Sequence, residues 1–201
     1  MQSTQTEHTV STALTRVLLR YLAKGGHGLD GVCARAGMER GLPEAPEARL
    51  TGAQFDALWR EAAGAVDDPD FGLRFGRALA GAWPGGNLLL GLMMNCPTVA
   101  EAMDRLLRYH DIMADTIRPR MRVEKERVVL RWDYFGPDLE MPQQLGDALL
   151  CLYRYMLGRL TEGELQIREI RFAGPRPPAM ELHRRVFCAP LAFAQRRHEL
   201  E

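Results

Sequence analysis

Serine is almost missing from this chain. Of 201 residues only Ser3 and Ser11 are serines, both close to the N-terminus, so a nucleophilic serine with a histidine and an acid around it is excluded by inventory. Lysine is as scarce, with Lys24 and Lys125 set against 24 scattered arginines. Basic and acidic residues balance at 26 each, which removes the net field that draws in nucleic acid or an anionic membrane. The longest apolar run, LLLGLMM at 88–94, falls far short of the roughly 18 residues of a membrane span. The N-terminus has neither the basic start nor the apolar stretch of a signal peptide.

Metal and phosphate motifs are missing too. The four cysteines, Cys33, Cys96, Cys151 and Cys188, form no Cys-x-x-Cys pair and read as reduced thiols of a cytoplasmic protein. There is no His-Glu-x-x-His, and His183, Cys188 and His198 are irregularly spaced without a fourth ligand, so no zinc site is expected. The glycine clusters GGHG (25–28) and PGGN (84–87) match neither a P-loop nor a dinucleotide fingerprint and read as turns. Acid pairs such as Asp67/Asp68 and Glu162/Glu164 sit in turn-like, solvated stretches where a raised pKa is hard to arrange. No general acid and base stand out, so the chain is read as a non-enzyme that calls for no cofactor.

What is present is apolar patterning. Hydrophobic residues make up 46% of the chain, enough for one substantial core, and a single domain over 11–201 is expected behind a polar, frayed segment 1–10. Ser11 caps a helix with Leu14, Val17, Leu18, Tyr21 and Leu22 on its apolar side, ended by Gly25–Gly26. A short helix over 29–38 follows. Thr51 with Gln54 makes a capping box for the helix carrying Phe55, Leu58, Trp59 and Ala62, and 67–82 reads as a turn and another helix.

After Pro97, Thr98 and Glu101 form a second capping box. In the helix they open, TVAEAMDRLLRYHDIM, His110 lies in the middle of an apolar stripe made by Val99, Ala102, Met103, Leu106 and Met113, with Tyr109 on its edge. The period then changes to two. In RVVLRWDY (127–134) Val128, Leu130, Trp132 and Tyr134 share one face, a half-buried strand that pairs with PRMRVE through a hairpin turn at Lys125–Glu126. A helix over 141–160 turns Leu145, Leu149, Leu152, Met156 and Leu160 inward and stops at Gly163. A strand over 164–172 with a bulge near Ile167, a helix over 180–187 and a last strand over 191–197 complete an α+β fold: an N-terminal helical part followed by β-β-α-β-α-β with an antiparallel sheet.

The stretch LDGVCARAGMERGLPEAP imitates the first half of a helix-turn-helix, but Gly41, Pro43 and Pro46 interrupt the place of a recognition helix. The chain is not expected to read DNA by itself.

Taken together, DFGLRFG, the PT-x-x-EA-x(6)-YH pattern at 97–110 and IREIRFAGPRPPAMELHRRVFCAPLAFAQRR resemble one family over roughly 12–198. It is the N-terminal effector-binding domain of AraC/XylS-type transcriptional regulators, in the branch labelled arabinose-binding-like. The resemblance implies a small-molecule effector whose binding is passed to dimerisation or to DNA-binding state, a homodimer, and DNA contact only through a helix-turn-helix domain of about a hundred residues that lies outside this chain. The last residues of QRRHELE then read as a cloning scar.

On this reading the effector pocket lies between the 98–113 helix and the sheet face bearing Trp132 and Tyr134. Tyr109, His110 and Arg120 supply polar groups beside Trp83 and Met113. His110 is open among a hydrogen-bonded core histidine, a ligand contact and a metal or haem ligand. Two other classes are kept. One is a haem-based gas sensor, whose family's Tyr-x-Ser-x-Arg propionate clamp is missing here, and the other is a dimerisation module without ligand.

Overall fold

A computed structural model describes residues 8–201 apart from 40, 43, 44, 46, 82–87, 126 and 136–139. The chain enters through β1 (Thr9–Ser11), which pairs antiparallel with β2 (Arg49–Thr51). Of the segment expected to fray, residues 1–7 lie outside the described residues, whereas Val10 is fully buried in β1. Its polar neighbours are tolerated because their backbone groups pair with β2.

Helices α1 (Thr12–Lys24), α2 (Leu29–Arg35), α3 (Gly52–Val66), α4 (Phe71–Gly81), α5 (Leu88–Met94) and α6 (Val99–Tyr109) follow. Their ends obey local chemistry. Ser11 accepts from Ala13 N–H to start α1, and Thr51 and Gln54 make both bonds of a capping box at α3. At α6 the cap consists of the Thr98 hydroxyl accepting from Glu101 N–H.

The second half carries β3 (Ile117–Glu124), β4 (Arg127–Tyr134), α7 (Gln143–Leu160), β5 (Ile170–Arg171), α8 (Glu181–Phe187), β6 (Leu191–Ala192) and β7 (Glu199–Leu200). The sheet order is β3-β4-β7-β5-β6, and every pairing but β5 with β6 is antiparallel. That pair is parallel because α8 carries the chain across between them, the connection that parallel neighbours require. The β3–β4 hairpin turns at Lys125 with φ +50°, so a lysine takes the left-handed conformation that asparagine or glycine normally fills. At its tip Val128 and its cross-strand partner Val123 are left uncovered, so Val128 does not share the burial of Leu130 and Trp132.

Three expectations change at the C-terminal end. The strand expected over 164–172 is reduced to Ile170–Arg171, because Arg168 and Glu169 spend their N–H groups on the single carbonyl of Glu201. The last strand expected over 191–197 ends at Ala192. The residues taken for a scar are β7, inserted between β4 and β5, with Leu200 only 4% exposed and paired with both Leu130 and Ile170. One apolar residue among charged ones gives no alternation to read, yet Arg127 and Arg171 hold Glu201 and Glu199 at the strand's edges.

Helices α4 and α7 pack closely, and DFGLRFG explains why. A Cβ on Gly72 would lie 2.2 Å from the Gln144 carbonyl oxygen, and one on Gly76 would lie 2.4 Å from that of Ala148. Glycines four residues apart on one face of α4 thus let the two backbones touch. Gln144 reinforces the contact by accepting from Gly72 N–H at 2.6 Å and donating to the Pro69 carbonyl at 2.9 Å.

Candidate functional site

Bringing α4 onto α7 leaves a cavity between them and α1, α3 and the end of α6. Its volume is about 100 Å³. Leu14 and Leu18 of α1, Phe55 and Trp59 of α3, Phe75 and Leu79 of α4, and Leu145, Leu149, Leu152, Tyr153 and Met156 of α7 form most of the wall. Leu106, His110, Met113, Ala114 and Ile117 close the remaining side. Among the described lining residues none carries a formal charge, and His110 is the one titratable in the neutral range.

His110 sits where α6 tightens into a 3-10 turn over His110–Ile112. Its backbone carbonyl accepts from the N–H groups of both Met113 and Ala114, and its ring Nδ1 lies 3.0 Å from the Ala114 carbonyl. A carbonyl only accepts, so Nδ1 carries the proton and Nε2 of the neutral ring is left with its lone pair. Burial lowers the pKa of His110, opposed by the bond to Ala114; the ring is 6% exposed and stays neutral at pH 7.

This turn is held from outside by residues distant in sequence. Arg49 of β2 donates to the carbonyls of Ile112 at 2.9 Å and Asp111 at 3.3 Å, satisfying acceptors that a helix end leaves unpaired. Ser11 N–H donates to Met113 O at 2.7 Å, and Asp115 N–H to Thr9 O at 3.1 Å. The first strand therefore fixes the segment that presents His110 and Met113 to the cavity.

Of the residues proposed from sequence, His110 and Met113 are brought together at the cavity wall. Trp132 is one layer behind, its ring 4.9 Å from Tyr153 and at 71° to it. Tyr134 donates its hydroxyl to the buried Asp56 carboxylate, which also binds Arg60. Tyr109 is 41% exposed, one residue too far around the stripe. Arg120 points off the sheet into an ion pair with Asp133. Trp83 lies outside the described residues.

The walls from α1, α3, α4 and α7 were not among the expected site residues. Their signal was present but ambiguous, since an apolar stripe facing a cavity and one facing a core have the same period. A second group was also missed. Asp70, at the start of α4, Asp147 of α7, His183 of α8 and His198 converge around Phe172 and Phe193. Burial, with Asp70 adding repulsion, pushes the Asp147 carboxyl up to about 8. Burial takes His198 down to about 4 and also lowers His183, which lies 3.6 Å from Asp70, too far for a hydrogen bond. Both histidines expected to stay out of a metal site are here, while Cys188 is exposed at the C-terminal end of α8. Among the described residues no helix is long and apolar enough to cross a membrane.

The family described as the arabinose-binding N-terminal domain of AraC transcription regulators matches over residues 26–201. Among solved structures the chain is similar to the transcriptional regulator CdpR from Pseudomonas aeruginosa, with 20% sequence identity and a TM-score of 0.59 over 92% of this chain and 53% of that one. The chain thus spans about half the length of that regulator, and at this identity the likeness speaks for the fold alone. No curated protein matches the chain.

Proposed function

Because this chain belongs to the family of arabinose-binding N-terminal domains of AraC transcription regulators, we propose that it is the sensing part of a DNA-binding regulator at work in the cytoplasm. A small effector enters the cavity enclosed by α1, α3, α4, α6 and α7, and its binding shifts a homodimer or the DNA-binding state of a helix-turn-helix domain outside this chain. Within the sequence-derived set, effector contact is assigned to His110 and Met113. Trp132 and Tyr134 support the wall from behind, and Tyr109 and Arg120 belong to the surface.

The observation that carries this reading is the cavity itself: five helices close on space that they do not fill, lined by apolar groups with two titratable rings, His110 and Tyr153. A ligand at a hundred times its dissociation constant adds about 2.7 kcal/mol, or roughly 5–10 °C of melting temperature for a chain of this size. Thermal melting over a metabolite panel, paired with sedimentation of the chain, tests it. A compound that raises melting and also shifts the monomer–dimer balance is the expected result. Melting that responds to protein concentration and to no compound transfers the chain to the dimerisation class.

A haem sensor is the second reading, favoured by one specific feature: Nδ1 of His110 is tied to a carbonyl while Nε2 is open, the arrangement of an axial ligand. Against it, no described lining residue offers a cation to the propionates. A Soret band on addition of hemin, shifted by His110→Ala, is its signature.

A further inference from the structure

The cavity also carries information about the kind of molecule it accepts, and this step rests on its being the effector site. Its described lining holds no arginine, lysine, aspartate or glutamate, although the chain has 24 arginines. A carboxylate, phosphate or ammonium entering it would lose water and gain no counter-charge. A sugar fares no better, because four or five hydroxyls would face a wall of leucine, phenylalanine and methionine. The polar atoms on offer are few. His110 presents a lone pair at Nε2, its Nδ1 proton being committed to Ala114, the buried indole N–H of Trp59 has no hydrogen-bond partner among the described residues, and Tyr153 adds a phenol whose ring packs edge-on against Trp132.

We infer that the effector is a neutral, largely hydrocarbon molecule with one hydroxyl or N–H group that donates to His110 Nε2, and that it is not a sugar despite the family's name. The apolar body is held by α1, α3 and α7, with Leu18, Phe55, Leu149 and Leu152 as its main contacts, and specificity comes from one bond. The donor is required because the fixed tautomer leaves Nε2 able only to accept. A group that accepts but cannot donate meets that lone pair with its own and leaves His110 Nε2 unpaired.

Four probes separate these features: 1-octanol, its isostere 1-methoxyheptane, octanoate and L-arabinose, each titrated calorimetrically into the chain near neutral pH. The expected order has 1-octanol at least fivefold tighter than 1-methoxyheptane and at least tenfold tighter than octanoate or L-arabinose. His110→Phe should bring the alcohol and the ether to equal affinity. His110→Gln, which keeps an acceptor where Nε2 stands, should retain the preference and guards against a folding artefact. Leu149→Trp, filling the cavity, should abolish binding of the alcohol.

Equal or tighter binding of octanoate or L-arabinose overturns the inference, as does a preference for the alcohol that survives in His110→Phe, binding that ignores Leu149→Trp, or no binding by any probe. The two readings fail separately. Octanoate binding lost in Leu149→Trp sinks the neutral-ligand class and leaves the sensor standing. Alcohol binding that follows the expected order without changing oligomeric or DNA-binding state supports the ligand class and removes the sensing role.

Discussion

Gly76 of α4 and Ala148 of α7 stand so close that a Cβ on the glycine would lie 2.4 Å from the alanine's carbonyl oxygen. The obstacle is backbone, which cannot rotate out of the way. Gly76→Ala should therefore cost about 2–3 kcal/mol through overpacking, a fall of roughly 4–12 °C in melting temperature. Gly64→Ala in α3, where a Cβ meets nothing within 4 Å, should be neutral or gain up to about 1 kcal/mol from helix propensity. Equal melting temperatures for the two variants would remove the close-packing account.

Leu200 is buried in the middle of the sheet with one pairing partner on each side. Leu200→Ala should lose about 2–4 kcal/mol in urea unfolding. Deleting 199–201 should do more, since β4 and β5 would lose their shared neighbour. A deletion that melts like the parent would return these residues to the status of an appendage.

The buried polar group predicts a pH optimum of stability. The Asp147 carboxyl, raised from 3.8 to about 8, keeps in the folded state a proton that the unfolded chain has lost, so stability falls as pH climbs from about 4 towards 8. His198, lowered to about 4, acts oppositely, as do His110 and His183. Below 6.5 the unfolded chain binds protons that these buried rings refuse, and stability is lost as pH falls. Three rings outweigh one carboxyl on the acid side, and Asp147 acts alone on the alkaline side. The maximum from these groups lies near pH 6.5. Asp147→Asn should flatten the decline between pH 6.5 and 8 while preserving the acid loss, as read from urea midpoints at pH 5.5, 6.5 and 8.

Arg49 holds the turn that presents His110. Arg49→Ala removes its bonds to the carbonyls of Ile112 and Asp111, costing about 1–3 kcal/mol. Its more specific effect is local. Amide exchange at Met113 and Ala114, whose N–H groups close the turn on His110 O, should accelerate at least tenfold, while the amides of α7 are unchanged. Uniform acceleration across the chain would make Arg49 a global stabiliser only.

Much of the local order was legible because it depends on neighbours in sequence. The Thr51–Gln54 box, the Ser11 cap, the Lys125 turn and the stripe through His110 all follow from spacing within a few residues. The family resemblance drew on three stretches taken together, among them DFGLRFG, whose glycines acquire a physical reason only when α7 lies against them. Tyr109 and Arg120 were placed near His110 by adjacency and by strand position, yet a helix turns each side chain about 100° from the last, and a strand sends alternate ones to opposite faces.

Composition and period were enough to establish an α+β chain without a serine nucleophile, net charge or membrane-length run, and with a histidine inside an apolar stripe. They contain no term for long-range proximity. That burial beside Asp70 raises Asp147, that Arg49 reaches the end of α6, that Leu200 completes the sheet and that five apolar stripes enclose space instead of filling it are facts of packing. Each joins residues tens to more than a hundred positions apart, and the free energy that unites them is burial, which depends on what all the stripes do at once.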